Sequence, residues 1–181
     1  GVQGHGLTYA VNNRGGCHIK GYMISPEILG YPEKLDRSSV EGKAAYTKIF
    51  LDLTAVIDSI GLCVFSTFGL GLSDYVDMYN AVVGDIYTDE TLLEAGERIW
   101  NLEKLFNIRE GIDSKEDKLP KRLLEVPIQN GPSKGEIHRL DILLPEYYAV
   151  RGWDEDGIPT EETLKKLGLE EYLGYINKEM A

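Results

Sequence analysis

Positive charge, cysteine and long apolar runs are all scarce in this chain, and each scarcity excludes something. Against 30 Asp and Glu stand only 19 Lys and Arg, for a formal net charge of -11 over 181 residues. That balance argues against a nucleic-acid-binding role, which needs a basic footprint to neutralise phosphates. Cys17 and Cys63 are the two cysteines. Two thiols make no disulfide framework, and they are too few to hold an iron–sulfur cluster, which usually takes four thiolates. The most apolar stretch, Ile49 to Phe65, is interrupted by Asp52 and Asp58 and falls short of a membrane span. No basic segment followed by an apolar run and a small-residue cleavage site is visible, so no secretory signal is expected. These features predict a soluble, cytoplasmic type of chain with no membrane and no nucleic-acid partner.

What is there reads as helix. The chain is long enough for one large domain or two small ones. Val2 to Asn13 fits a short helix closed by the turn Asn12-Asn13-Arg14-Gly15-Gly16. Tyr22 to Leu35, with Pro26, Gly30 and Pro32, reads as loop. A long helix is expected from about Ser39, capped by Ser38 or Ser39, to Ile60. Its second half is apolar nearly all round, as suits the centre of a core. Gly61 should end it, and a glycine-punctuated stretch, Leu62 to Leu72, follows. Ser73 can cap a helix Asp74 to Val83. Another helix should open at Thr88 or Asp89 and run to about Asn107 with Leu92, Ala95, Ile99, Leu102 and Phe106 on one face. Leu119 to Glu125 suits a turn or two of helix, and Pro127 to Glu136 suits loop. A last helical pattern starts at Thr160 as cap, with Glu161 and Glu162 favourable to the helix dipole, and stops near Gly168. The expected class is mainly α: an irregular multi-helix domain with long loops.

Three stretches hold residue types suited to chemistry. In Asn12 to Gly21, a glycine pair beside Arg14, His18 and Lys20 would allow close backbone approach to a ligand and supply donors to anionic oxygens. The plainer reading makes Gly15 and Gly16 a helix-ending turn, His18 its anchor and Cys17 a small buried side chain. His18 has the chemistry of a proton shuttle, because its ordinary pKa lies near neutrality. In Asp58 to Cys63, a carboxylate deep in an apolar helix would have to find donors or lose its charge, and Gly61 would leave room for a flat heterocycle. Cys63 can equally be core. Tyr147 to Asp154 is dense in aromatics, which suits packing between domains first and a pocket wall second.

Taken together, the three stretches resemble one family. Asn-Arg-Gly-Gly-Cys-His within Gly4 to Gly21, Asp-x-x-Gly-Leu-Cys at Asp58 to Cys63, and Tyr-Tyr-x-x-Arg-Gly-Trp-Asp-x-x-Gly-x-Pro-Thr at Tyr147 to Thr160 stand in one order at compatible spacing. They look like the C-terminal domain of the tungsten-containing aldehyde ferredoxin oxidoreductases. The first block and Met23 to Gly30 resemble the formaldehyde ferredoxin oxidoreductase branch most. The resemblance implies that residues 1–181 are one helical domain of a larger enzyme, inactive alone, in which a β-rich base holds two molybdopterins under two helical domains. It implies tungsten coordinated by the pterins with no protein ligand, and a 4Fe-4S cluster with three cysteines from a middle domain and Cys63 as the fourth ligand. Asp58 and the backbone of Gly61 and Leu62 would contact a pterin, as would Lys20, and His18 would be the catalytic histidine near the metal, with His5 second in line. The middle-domain cysteines and the family's active-site glutamate have no counterpart here. The implied reaction oxidises an aldehyde to a carboxylic acid with ferredoxin as electron acceptor. The implied partners are the enzyme's other domains, ferredoxin, the aldehyde substrate and further copies in a homo-oligomer. Two rivals stand beside it: a helical scaffold or interaction module without cofactor, and the same cofactor frame acting on another carbonyl or an aryl-CoA.

Overall fold

The computed structural model describes residues 1–176, and these form helices joined by long loops, with no strand among the described residues. The expected mainly α class is what the chain adopts. The α-helices are α1 Gln3–Ala10, α2 Lys43–Ser59, α3 Leu72–Val83, α4 Asp89–Arg109, α5 Lys121–Glu125, α6 Leu140–Arg151, α7 Glu161–Lys166 and α8 Leu173–Ile176. Among the described residues no helix is long and apolar enough to cross a membrane.

The apolar helix α2 is the axis of the fold, packed by α1, α4 and α6. Its first half contributes Ala44 and Leu51 to a core with Leu7, Trp100, Leu143, Tyr147 and Trp153. Its second half sends Val56 and Ile57 against Tyr75, Val76 and Leu92. Burial of side chains such as Leu51 and Ile57 stabilises by roughly 1.5–3 kcal/mol each. Contact with α4 is close because Gly96 has no side chain: a Cβ there would lie 2.2 Å from the carbonyl oxygen of Asp52. A smaller core joins Leu105 of α4 to Leu164, Leu167 and Leu169.

Several expectations need correction. Helix α2 begins at Lys43, after Gly42 in a left-handed conformation (φ 69°), and no side chain caps it. Ser39 instead accepts from the Glu41 N–H within a local turn. Lys43 is drawn inward, where its Nζ lies 2.9 Å from Glu27 with both side chains essentially unexposed. Glu27 sits in a π turn, Ser25–Leu29, inside the stretch expected to be loop. On α4 the buried residues are Leu92, Gly96, Trp100, Asn101, Lys104 and Leu105, so Leu102 and Phe106 of the expected face point outward.

The aromatic stretch also plays a different part. Tyr147 and Arg151 are buried in α6, and Trp153 follows them into the same core, so this block packs inside the chain. Arg151 donates to Tyr147 Oη at 2.8 Å and pairs with Asp52, which also takes Lys48 at 2.9 Å. The guanidinium lies over the Trp100 ring at 5.4 Å. Each charge in this set is compensated; stripping one partner from such a pair costs about 3–5 kcal/mol.

Candidate functional site

The site is built by two chain reversals that meet beside α2. The first follows α1. Gly15 turns the backbone at φ +86° and donates to Asn12 O at 2.9 Å. The next residues wrap around Cys17, whose Sγ accepts from Arg14 Nη2 at 2.8 Å and from the N–H groups of Ile19 and Lys20 at 3.4 and 3.5 Å. Burial pushes this thiol up, but those donors and the Arg14 charge outweigh it and hold it below its ordinary value. Cys17 is therefore the anchor of the loop that presents His18 and Lys20. The loop then docks on α2, with the Gly21 N–H donating to Thr54 Oγ1 at 3.2 Å. Gly21 (φ +65°) has no room for a Cβ, which would fall 2.6 Å from Leu51.

The second reversal ends α2. Gly61 adopts φ +78° and the Leu62 N–H reaches back to Ile57 O at 3.1 Å, a glycine-dependent helix stop. It puts Leu62 and Cys63 at the surface, and Cys63 is a free, exposed thiol. A Cβ on Gly61 would meet nothing within 4 Å, so its outer side is open. The Cys63 carbonyl accepts from Ser66 twice, from N–H at 2.9 Å and from Oγ at 2.6 Å. Ser66 Oγ is 2.7 Å from the hydroxyl of fully buried Tyr75, which ties the cysteine's backbone to the core.

These reversals bring the expected residues into one neighbourhood. Lys20 Nζ, nearly buried, lies 2.8 Å from Glu103 and 3.9 Å from Asp58, over the Trp100 ring at 5.6 Å. His18 is exposed and close enough for its charge to act on His5. The His5 ring stands edge-on to Tyr22 at 6.0 Å, and Tyr22 stands edge-on to Phe65 and Phe68, which follow Cys63. One premise fails. Asp58 is 42% exposed, because α2 emerges from the core at its last turn, and the buried carboxylate of the helix is Asp52. Nearness to Lys20 thus replaces burial as the reason to place Asp58 in the site.

His5 was visible in the sequence only as a second histidine. It is buried on α1, and burial, with the charge of His18, pushes its pKa down to about 4. Its helix is capped from another element: the Glu27 carboxylate accepts the N–H groups of Gly4 and His5 at 2.8 and 2.9 Å. No local signal near Glu27 could announce that role. An unfolded His5 takes up a proton near its ordinary 6.5, a folded one only near 4. Between those values the unfolded chain binds more protons, so stability should fall as pH drops from 6.5 toward 4. The unfolding midpoint measured across that window should show the loss, and His5→Gln should reduce it, leaving the part due to His138, whose pKa burial also lowers.

A cleft of about 1170 Å³ between Asn12–Gly16 and Leu119 contains none of Lys20, Asp58 and Cys63. Asp58 and Cys63 are exposed, and Lys20 is nearly buried beside Asp58. Among the described residues no three His, Cys, Asp or Glu side chains gather as a metal site, so Cys63 could be only one ligand of a shared group. An exposed cysteine sulfur fits a cluster completed from elsewhere. The Lys20–Asp58 rim and the open side of Gly61 fit a heterocycle with both donors and acceptors.

A helical fold among the described residues, with Lys20 against Asp58 and an exposed Cys63 after the helix end, is the class these contacts define. The family model described as "Aldehyde ferredoxin oxidoreductase, domains 2 & 3" matches residues 1–169. The chain belongs to the aldehyde ferredoxin oxidoreductase family. It is 59% identical to a tungsten-containing aldehyde ferredoxin oxidoreductase of Pyrococcus abyssi over 96% of its own length, and 54% identical to the protein of that name from Thermococcus kodakarensis over 96%. An aliphatic sulfonate oxidoreductase, WOR-like subunit, of Pyrococcus furiosus is 32% identical over 91% of the chain. The chain spans 29% of the length of the first two relatives and 24% of the third. A solved chain from the active site complex BamBC of benzoyl coenzyme A reductase, in complex with 1,5-dienoyl-CoA, shares the fold. Its TM-score is 0.65 at 24% identity, covering 86% of this chain and 23% of that one.

Proposed function

We propose that residues 1–181 are the C-terminal helical part of a tungsten-pterin enzyme that oxidises aldehydes to carboxylic acids and passes the electrons to ferredoxin. When bound, the tungsten-pterin group and a 4Fe-4S cluster supply the redox chemistry, since protein side chains cannot perform it. The residues of this chain hold and tune. Cys63 gives its thiolate as the fourth cluster ligand, fixed through Ser66 and Tyr75. Lys20, Asp58 and the Gly61–Leu62 backbone hydrogen-bond a pterin. His18, which is exposed, moves a proton to or from substrate or water. Formaldehyde and other short-chain aldehydes are the substrates that the first block's wording favours, and further copies of the chain complete a homo-oligomer.

The observation that carries the proposal is the meeting of Lys20 with Asp58 at 3.9 Å beside an exposed Cys63, from stretches far apart in sequence. Burial of Cys63 in the apolar core would have favoured a scaffold without cofactor, and its exposure favours the cofactor reading. The test is the complete protein. It should retain tungsten and iron through purification and reduce ferredoxin on addition of formaldehyde. A protein that purifies free of both metals and is silent toward aldehydes would end the proposal.

A further inference from the structure

We propose that Phe65 and Phe68, with Leu62 and Tyr22, form the apolar wall that keeps water and oxidant from an iron–sulfur cluster held on Cys63; this rests on the cluster-ligand reading of Cys63 above. The rings of Phe65 and Phe68 are stacked, 5.7 Å apart and 15° from parallel, and each is about half exposed (49% and 48%). Leu62 is 41% exposed beside them. Tyr22 meets the two rings edge-on at 6.2 and 5.8 Å and closes the patch on the side of His5. Contiguous exposed apolar surface of this kind marks a place that something covers.

Sequence and local structure both mark the patch as one that is covered. From Ser59 to Ser73 there is no charged residue, in a chain that is 27% charged. A surface meant for water would be expected to hold some, and this one surrounds the exposed thiol. The rings cannot simply fold inward. They lie on the 3₁₀ turn Val64–Phe68, where Val64 takes the buried position and Ser66 is held to Cys63 O and Tyr75 Oη. The wall and the thiol therefore share one short, hydrogen-bonded piece of backbone, which makes the wall the neighbour of an occupant held on Cys63. A thiolate-bound cluster gains negative charge on reduction, and water stabilises the more charged state. Solvent exposure is accordingly one of the levers on its potential. An apolar wall lowers that potential and slows oxidative loss.

The experiment uses the complete enzyme with Phe65→Ser, Phe68→Ser and Phe68→Leu, and with Phe106→Ser as control, an aromatic on α4 that is 54% exposed. Two readouts serve, neither of them activity: the cluster's midpoint potential from an EPR-monitored titration, and the rate at which its absorbance bleaches in air. Both Ser variants should start with parental iron, shift the potential upward and bleach several-fold faster. Phe68→Leu should stay close to the parent, and Phe106→Ser should match it. Unmoved potential and bleaching in both Ser variants would overturn the wall, as would an equal shift in the control. If Cys63→Ala removes the cluster while the Ser variants change nothing, only the wall fails. If Cys63→Ala keeps a full cluster, the reading beneath it fails.

Discussion

In the complete enzyme, Cys63→Ala should lose the four-iron centre or leave it badly degraded. A cluster usually takes four thiolates, and a site reduced to three is open at one iron to water and oxidant. The cysteine's placement makes the effect specific. Gly61 ends α2, the Cys63 carbonyl is held by Ser66, and the thiol itself has no role in the core whose loss could mimic the result. Iron analysis and the EPR signal of the reduced enzyme give the answer. Full iron with an unaltered signal would remove Cys63 from the ligand set.

His18→Asn should lower turnover by about 10²–10⁴-fold, the usual contribution of a positioned acid or base, while tungsten and iron contents stay at parental levels. A histidine that only anchored the Gly15–Gly16 turn would do the reverse: metal content or stability would fall and activity per tungsten would hold. The anchoring in this loop falls to Cys17, which takes three donors, and His18 is left exposed. Activity normalised to bound tungsten separates the two, together with its pH profile. Activity per tungsten within a few-fold of the parent would move the assignment to His5.

The parts of this fold that were legible in the sequence are those set by local pattern. Helix α2 announces itself by its apolar run, α4 by Thr88 accepting from the Thr91 N–H, and α7 by Thr160 accepting from the Thr163 N–H. Helix α6 went unread because Pro145 lies within it and breaks the helical pattern. The register of α4 was missed for a different reason. Its buried stripe runs through Gly96, Trp100 and Lys104, and a lysine joins a core face only when a distant carboxylate, here Asp117 at 3.1 Å, compensates it. Lys20 with Glu103 and Lys43 with Glu27 follow the same logic. Hydropathy alone places all three in water.

The site shows the same division. The residue types at His18, Lys20, Asp58 and Cys63 suggested chemistry, and the order of the motifs suggested a family. Yet the apolar surroundings of Asp58 in the sequence do not bury it, because hydropathy around a position does not reveal where a helix leaves its core. Asp58, on the rim, lies only six positions beyond Asp52, which is sealed against Arg151. The π turn that lets Glu27 cap the helix of His5 had no sequence signature at all.

Crystals of the complete protein, measured at the iron and tungsten absorption edges, test the central claim most directly. Anomalous peaks locate each metal without reference to activity. The account predicts an iron peak bonded to Cys63 Sγ and a tungsten peak on the same face of the chain, with His18 turned toward it and Lys20 and Asp58 facing the space between the two metals. Iron peaks away from Cys63, with its thiol in contact with protein alone, would contradict it.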